Sequence, residues 1–173
     1  MGNFKEELMK VKAFAFDVDG VFSSSQVYMM DDGEPVRTMN IKDGYAVQFA
    51  VKKKYPIAII TGGSSEAVKK RFQQLGVTDI YLKSYDKMGD FDDFLYKYDL
   101  DASEVLYMGD DIPDYNVMKK CGVPVCPSDA SEEIKSISKY ISNIRGGEGC
   151  ARDVIEQVLR AHGCWMDKDS FIW

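Results

Sequence analysis

The chain has 173 residues, of which 45% are hydrophobic and 29% are charged. This length and composition fit one globular domain with a full core, so we expect residues 1–173 to form a single domain. The formal net charge of −6 disfavours binding to nucleic acid or to an anionic membrane surface. No apolar run approaches the roughly 20 residues of a membrane-spanning helix. The charged segment 1–10 does not resemble a secretory leader, and we therefore expect a cytoplasmic protein.

The cysteine and histidine content argues against several classes of catalytic site. The four cysteines, at positions 121, 126, 150 and 164, include no CxxC pair. A zinc site would need more cysteine or histidine at closer spacing. The one histidine, His162, follows a helical pattern late in the chain and stands near no candidate nucleophile. We therefore do not expect catalysis by a Ser-His or Cys-His pair.

In chain order, short apolar strands alternate with amphipathic helices. The predicted strands cover 11–16, 56–61, 79–83, 105–110, 123–127 and 140–143, and the predicted helices cover 44–54, 64–75, 87–98, 113–120, 130–138 and 149–162. Strict alternation of this kind predicts an α/β fold, a doubly wound parallel sheet of the Rossmann type with helices on both faces.

One segment interrupts the alternation. Residues 23–40 contain two short runs, 27–30 and 36–39, separated by the turn-forming sequence "DDGE". This composition predicts a β-hairpin, and because the hairpin follows the first strand we expect it to form a flap beside the site. The aromatic tail 163–173 could dock on its own domain or on a neighbouring subunit.

Polar residues follow three of the predicted strands directly, and Lys87 begins the helix after a further strand. In a parallel sheet the carboxyl ends of the strands lie at one edge, where ligands bind. The residues that we expect at this carboxyl edge are Asp17, Asp19, Thr61, Gly62, Lys87, Asp110 and Asp111. Clustered carboxylates repel one another and need a cation, and oxygen ligands of this type suit Mg²⁺. We predict metal binding by Asp17, Asp19, Asp110 and Asp111, with Asp114 as a further candidate.

The same residues suit phosphoryl transfer. Asp17 ends its strand and is the best nucleophile for an aspartyl-phosphate route. Asp19 can act as general acid towards the leaving oxygen and then as base towards water. Thr61, Lys87 and the glycine N–H groups are donors for a phosphoryl group in the transition state.

Four short motifs in order resemble the haloacid dehalogenase-like phosphatase superfamily. They are "DVDGV" at 17–21, "IITGG" at 59–63, Lys87 and "GDDIPD" at 109–114. The segments "GEPVRTMNIKDGYA" and "GGEGCARDVIEQVL", together with the absence of an inserted cap domain, are similar to the small cap-less branch of that superfamily.

The resemblance to the cap-less branch implies a substrate and an assembly. The implied substrate is a sugar-acid phosphate of lipopolysaccharide biosynthesis, 3-deoxy-D-manno-octulosonate 8-phosphate, with 2-keto-3-deoxynononate 9-phosphate as the alternative. The implied assembly is a homotetramer in which a neighbouring subunit completes the site. The implied substrate contacts are Asn40, Ile41, Lys42, Asp43, Gly44, Gly62, Gly63 and Arg71. Gly63 and Gln48 stand where arginine is frequent in this branch, so the phosphatase activity is better supported than the identity of the sugar.

A non-catalytic module remains the rival interpretation. Receiver domains also surround an aspartyl phosphate with acidic residues, a threonine and a lysine, but their phosphorylated aspartate follows the third strand. Here the candidate nucleophile follows the first strand, and Asp19 adds a general acid. A dinucleotide-binding domain is disfavoured because no GxGxxG follows the first strand.

Overall fold

The computed structural model describes residues 4–31, 33 and 35–171. Its strands are β1 (Ala13–Phe16), β2 (Tyr28–Met29), β3 (Pro35–Val36), β4 (Ile57–Ile60), β5 (Asp79–Tyr81), β6 (Val105–Met108), β7 (Val123–Cys126) and β8 (Tyr140–Ile141). Its helices are α1 (Phe4–Leu8), α2 (Ile41–Lys52), α3 (Glu66–Gln74), α4 (Lys87–Tyr98), α5 (Tyr115–Lys120), α6 (Glu132–Ile137) and α7 (Cys150–Ala161).

Six strands form one parallel sheet in the order β5-β4-β1-β6-β7-β8. The predicted doubly wound α/β fold is therefore confirmed. The central strands are buried along their whole length, because helices cover both faces of the sheet. All six predicted strands and all six predicted helices are present, with shifts of a few residues at their ends. Helix α1, which sequence analysis did not predict, precedes β1.

Alternate residues of β1 point to opposite faces and build two cores. Phe14 and Phe16 pack on the face covered by α2, α3 and α7, where the core also includes Phe49 and Phe72. Ala13 and Ala15 point to the other face, where the core is formed mainly by α4, α5 and α6. The small alanines leave room on that face for larger side chains such as Phe91.

The interruption between β1 and α2 contains the predicted hairpin, in which β2 and β3 pair antiparallel. We call these two strands the hairpin. Its side chains are mostly exposed, Tyr28 to 70% and Met29 to 71%. Two residues of the predicted turn, Asp32 and Glu34, lie outside the described residues. No large inserted cap domain occurs within the described part of the chain.

The described part of the tail packs on its own chain. Trp165 stacks edge-on against Tyr45 and Phe49 of α2, with ring centroids 6.0 and 5.5 Å apart. Lys53 pairs with Asp167 at 2.5 Å, and the tail is thereby fixed to the end of α2. Residues 172 and 173 lie outside the described residues.

Within the described ranges, no helix combines the length and the apolar character that crossing a membrane requires. The four cysteines are free thiols. His162 contacts the Tyr55 hydroxyl and the Leu8 carbonyl. Because Leu8 and Tyr55 come before β1 and β4, the histidine lies at the amino end of the strands, away from the carboxyl edge. The absence of a role for His162 in catalysis remains a prediction.

Candidate active site

The tips of β1 and β6 bring three carboxylates together. Oxygens of Asp17, Asp110 and Asp114 all lie within 4.8 Å of one another. Asp17 follows β1 directly and its backbone N–H donates to the Met108 carbonyl at 3.0 Å, which joins the two strand ends. The side chains of Asp17 and Asp110 therefore lie at the same edge of the sheet.

Two glycines make this close approach possible. A Cβ atom on Gly20, where φ is +85°, would stand 1.9 Å from the Asp110 carboxylate. A Cβ atom on Gly109 would stand 2.4 Å from the Asp114 carboxyl carbon. Real Cβ atoms do not approach other atoms so closely, so a side chain at either position would displace a carboxylate of the cluster.

Lys87 is the cation within the cluster. It is the first residue of α4 and is only 7% exposed. Its Nζ lies 2.9 Å from Asp17 Oδ1 and 2.7 Å from Asp114 Oδ1. Burial opposes the charge on Lys87, but the two carboxylates outweigh burial and raise its pKa. Lys87 therefore stays charged and fixes the orientation of Asp17.

Asp114 is held from three sides. Besides the contact with Lys87, it accepts a hydrogen bond from the Tyr107 hydroxyl at 2.6 Å and one from the Asp110 backbone N–H at 3.2 Å. A short 3₁₀ turn at Ile112–Asp114 directs this side chain back towards the sheet. Asp114 thus supports both the lysine and the loop that carries Asp110.

The electrostatics of the cluster favour a bound cation. Burial raises the pKa of Asp17 to about 7, and the neighbouring charge of Asp114 adds to the effect. Burial likewise raises the pKa of Asp110 to about 8, with repulsion from Asp17 and Asp114 as the next causes. Lys87 alone does not compensate the negative charge. Carboxylate oxygens gathered in this way fit Mg²⁺, which takes oxygen ligands.

Thr61 and its glycines lie at the tip of the neighbouring strand β4. Thr61 is 3% exposed, and its Oγ1 accepts a hydrogen bond from the Gly63 N–H at 3.2 Å. Gly62 is exposed beside it. Since β1 and β4 pair directly, these donors adjoin Asp17.

Two of the predicted metal ligands lie outside the carboxylate cluster. The Asp19 carboxylate instead accepts from Ser23 Oγ at 2.9 Å and pairs with Arg37 through Nε at 2.5 Å. Asp111 is exposed and precedes the 3₁₀ turn. The third carboxylate of the cluster is instead that of Asp114, which sequence analysis named only as a further candidate ligand.

The predicted substrate contacts other than Gly62 and Gly63 lie on α3 and at the start of α2. Arg71 lines a groove of about 490 Å³ between the hairpin and α3, and it covers Gly44, where a Cβ atom would stand 2.4 Å from Arg71 Nη2. The predicted contacts on the first turn of α2 are Asn40, which caps that helix, and the exposed Ile41 and Lys42.

Asp43 has a different environment. It is 1% exposed and accepts a hydrogen bond from the Arg152 N–H at 2.6 Å, so it caps α7, whose own N-cap residue is Gly149. Its Oδ2 has no hydrogen-bond partner within the described structure. Burial raises the pKa of Asp43 to about 6. Its carboxylate therefore belongs to the packing of α7 on α2.

Arg37 contacts Asp19 beside the cluster, and sequence analysis did not name it as a candidate. It follows β3, lines the groove together with Arg71, and also lines a smaller recess with Thr61 and Gly63. The one signal in the sequence was that Arg37 is the single positively charged residue of segment 23–40, which follows the acidic end of the first strand.

Known proteins with similar sequences belong to one kind of hydrolase. A family model described as haloacid dehalogenase-like hydrolase matches residues 73–152. The 3-deoxy-D-manno-octulosonate 8-phosphate phosphatase of Escherichia coli K12 is 35% identical over 153 residues, covering 88% of this chain and 81% of the relative.

Solved structures agree with this relationship. The same phosphatase from Yersinia pestis superposes with a TM-score of 0.90 at 30% identity, over 92% of this chain and 86% of that chain. The phosphatase from Moraxella catarrhalis, solved with a magnesium ion, a phosphate ion and a KDO molecule, gives 0.89 at 30% identity, over 97% and 95% of the two chains.

Proposed function

The chain belongs to the haloacid dehalogenase-like hydrolases, within the family of 3-deoxy-D-manno-octulosonate 8-phosphate phosphatases. On this premise we propose that it is a Mg²⁺-dependent phosphatase that hydrolyses 3-deoxy-D-manno-octulosonate 8-phosphate to the free sugar acid and phosphate. Its place would be lipopolysaccharide biosynthesis. The observation that carries the proposal is the meeting of Asp17, Lys87 and a carboxylate cluster at adjoining strand tips.

The first chemical step uses Asp17 and Asp19. An Asp17 carboxylate oxygen attacks phosphorus and forms a new P–O bond while the P–O bond to the sugar breaks. The Asp19 carboxyl gives its proton to the leaving oxygen, so the sugar departs as an alcohol. Lys87, which touches Asp17 Oδ1 at 2.9 Å, holds the nucleophile in place.

The second step releases phosphate. A water attacks the phosphorus of the aspartyl phosphate, Asp19 accepts the proton of that water, and Asp17 leaves as a carboxylate. The chain is thereby restored and one water has been consumed. Thr61 Oγ1 and the Gly62 N–H are donors for the equatorial oxygens in both steps.

We propose Asp17, Asp110 and Asp114 as the side chains that would hold Mg²⁺. Asp19, which sequence analysis placed among the ligands, acts in this scheme as acid and base, and Asp111 is exposed. When bound, Mg²⁺ neutralises carboxylates and phosphoryl oxygens that would otherwise repel one another. The chain itself contributes the rigid strand tips and the fixed lysine.

The sugar acid is proposed to occupy the groove between the hairpin and α3. The groove volume of about 490 Å³ is in the range of small-molecule sites. Arg71 offers a planar guanidinium for the substrate carboxylate. Of the other implied contacts, Gly44 lies against Arg71. Asn40, Ile41 and Lys42 stand at the start of the same helix, and Asp43 is buried against α7.

We propose that the chain works as one domain, in the cytoplasm, within a homotetramer. The support is the exposed apolar surface of the hairpin, which includes Tyr28, Met29 and Val36, exposed by 70%, 71% and 46%. Contiguous exposed apolar side chains are typical of protein interfaces. A neighbouring subunit on the hairpin would close a groove that a single chain leaves open.

The test is kcat/KM for purified protein with Mg²⁺ on a panel of phosphate esters. We expect the highest value for 3-deoxy-D-manno-octulosonate 8-phosphate. A higher value for 2-keto-3-deoxynononate 9-phosphate would reassign the sugar and keep the reaction. No phosphate release from any ester, p-nitrophenyl phosphate included, would support a non-catalytic module and refute the proposed function.

A further inference from the structure

The guanidinium of Arg37, directly after the hairpin, contacts Asp19, the proposed general acid and base of the site. Arg37 donates from Nε to Asp19 Oδ1 at 2.5 Å and from Nη2 to Asp19 Oδ2 at 2.9 Å. Its third nitrogen, Nη1, donates to the Pro35 carbonyl at 3.2 Å, so the hairpin itself orients the fork. Planar two-point contact of this kind is how arginine binds carboxylates and phosphates alike.

The guanidinium already lies among the donors for a phosphoryl group. A Cβ atom built on Gly63 would stand 3.4 Å from Thr61 Oγ1, 3.5 Å from Arg37 Nη2 and 4.0 Å from Asp19 Oδ2. Because Gly63 has no side chain, these three groups share one small space. An anion bound next to Thr61 would therefore lie close to the Arg37 guanidinium as well as to Asp19.

The charge balance of the site favours such an exchange. Lys87 is already engaged by two carboxylates, Asp17 and Asp114. An arriving phosphoryl group brings further negative charge to an edge that is rich in carboxylates. The side chain of Arg37 is 11% exposed and that of Asp19 is 38% exposed, so Asp19 can exchange its partner for solvent at little cost.

We propose that Arg37 is a binding residue for the substrate phosphoryl group, with the Asp19 carboxylate occupying its fork in the free protein. When the ester binds, Arg37 moves from Asp19 to the phosphoryl oxygens. The exchange pulls the hairpin towards the substrate and leaves Asp19, now bonded only to Ser23, beside the leaving oxygen. This inference rests on the proposed phosphatase activity but not on which sugar is cleaved.

The inference assigns the two arginines of the groove to opposite ends of the substrate. Arg37 lines both the recess with Thr61 and Gly63 and the larger groove, whereas Arg71 lines only the larger one. Arg37 therefore serves every phosphate ester, and Arg71 serves only those with a distant acidic group. Variants of Arg37 and of Arg71 can therefore be compared as a matched pair, each losing one arginine of the groove.

The experiment compares Arg37→Gln, Arg37→Lys and Arg71→Gln, with Arg160→Gln on α7 as a control for loss of a positive charge. The readouts are inhibition by inorganic phosphate in the presence of Mg²⁺, and kcat/KM for p-nitrophenyl phosphate and for the sugar-acid phosphate. Removing a hydrogen bond to a charged group usually costs about 10- to 100-fold in affinity. We expect that loss for phosphate inhibition in Arg37→Gln, a smaller loss in Arg37→Lys, and none in Arg71→Gln or Arg160→Gln.

Unchanged phosphate inhibition in Arg37→Gln would overturn the inference, even if turnover of the sugar acid fell. If Arg37→Gln does not fold, Arg37→Lys provides the test. Phosphate inhibition of Arg37→Lys as strong as that of the wild type would also refute two-point binding. A crystal structure with Mg²⁺ and phosphate gives a direct view: the inference expects the guanidinium on the phosphate, and finding it still on Asp19 contradicts it. The p-nitrophenyl phosphate and inorganic phosphate measurements remain informative if the sugar acid is not the substrate.

Discussion

The carboxyl edge of the sheet and the hairpin face the same site but are held in different ways. Asp17, Lys87 and Asp114 are at most 7% exposed, and Lys87 pairs with both aspartates. The hairpin has two strands of two residues each, with mainly exposed side chains, and Arg37 ties it to the edge. A rigid edge suits chemistry, which needs fixed distances. A loosely attached hairpin suits substrate entry and closure.

Replacing the nucleophile should have the largest effect on activity. We expect Asp17→Asn to reduce kcat by about 10⁴-fold or more, because loss of a nucleophile removes the covalent route. The folded structure should survive, since Asn keeps the shape and Lys87 keeps its contact with Asp114. Steady-state kinetics and a thermal unfolding curve measure both effects. Retained activity would refute the assignment of Asp17.

The two acidic residues after Asp110 should behave differently. Asp114→Asn should raise the Mg²⁺ concentration for half-maximal activity about 10- to 100-fold, as loss of a residue in or next to a metal site usually does. The matched variant Asp111→Asn removes an exposed carboxylate and should change it by less than about 3-fold. Equal effects of the two variants would mean that the cluster seen in the structure is not the metal site.

The hairpin surface should matter for assembly and for the natural substrate. We expect Tyr28→Glu with Met29→Glu to dissociate the oligomer, because two large apolar side chains of an interface would become charged. kcat/KM for the sugar acid should fall about 10-fold, while that for p-nitrophenyl phosphate should change little. Tyr96→Glu, at a residue 89% exposed on α4, is the control. A wild-type protein that is monomeric and fully active in light scattering and kinetics would refute the tetramer.

Asp43 should affect stability rather than activity, and the effect should depend on pH. Its pKa is raised from 3.8 to about 6 in the folded protein, so the folded state binds the proton more tightly than the unfolded state does. Burial of this carboxyl therefore does not reduce the free energy of unfolding below about pH 4. The cost grows as the pH rises from about 4 to 6, and at higher pH it amounts to about 3 kcal/mol. Asp43→Asn removes that cost.

The measurement is urea unfolding of wild type and Asp43→Asn between pH 4 and 8. We expect the variant to gain stability relative to wild type across pH 4–6 and to keep that gain above pH 6. Its kcat/KM should stay near the wild-type value. A difference in stability that does not change with pH, combined with a large loss of activity, would instead assign Asp43 to substrate binding.

The fold was largely predictable because each buried strand is a short apolar run followed by a polar strand end. The hydrophobic pattern therefore predicted every strand of the parallel sheet and all helices except α1. The ends of the helices were less predictable: α2 begins at Ile41 rather than Gly44, because the Asn40 side chain caps it.

The site was predictable only in part. The spacing of Asp17, Thr61, Lys87 and Asp110 relative to the strands predicted their neighbourhood. The inward turn of Asp114 depends on a 3₁₀ turn and on space above Gly109, which residue spacing does not reveal. The contact between Arg37 and Asp19 joins positions 18 residues apart across a hairpin, and no periodic pattern predicts it.

Covalent capture of the phosphoryl group tests the account most directly. The protein is mixed with 3-deoxy-D-manno-octulosonate 8-phosphate and Mg²⁺, quenched in acid within one turnover, digested and examined by mass spectrometry. We expect an acid-stable but alkali-labile phosphoryl group on the peptide that contains Asp17, and none when Mg²⁺ is withheld. A phosphoryl group on any other residue, or rapid turnover with no labelled peptide, would contradict the account.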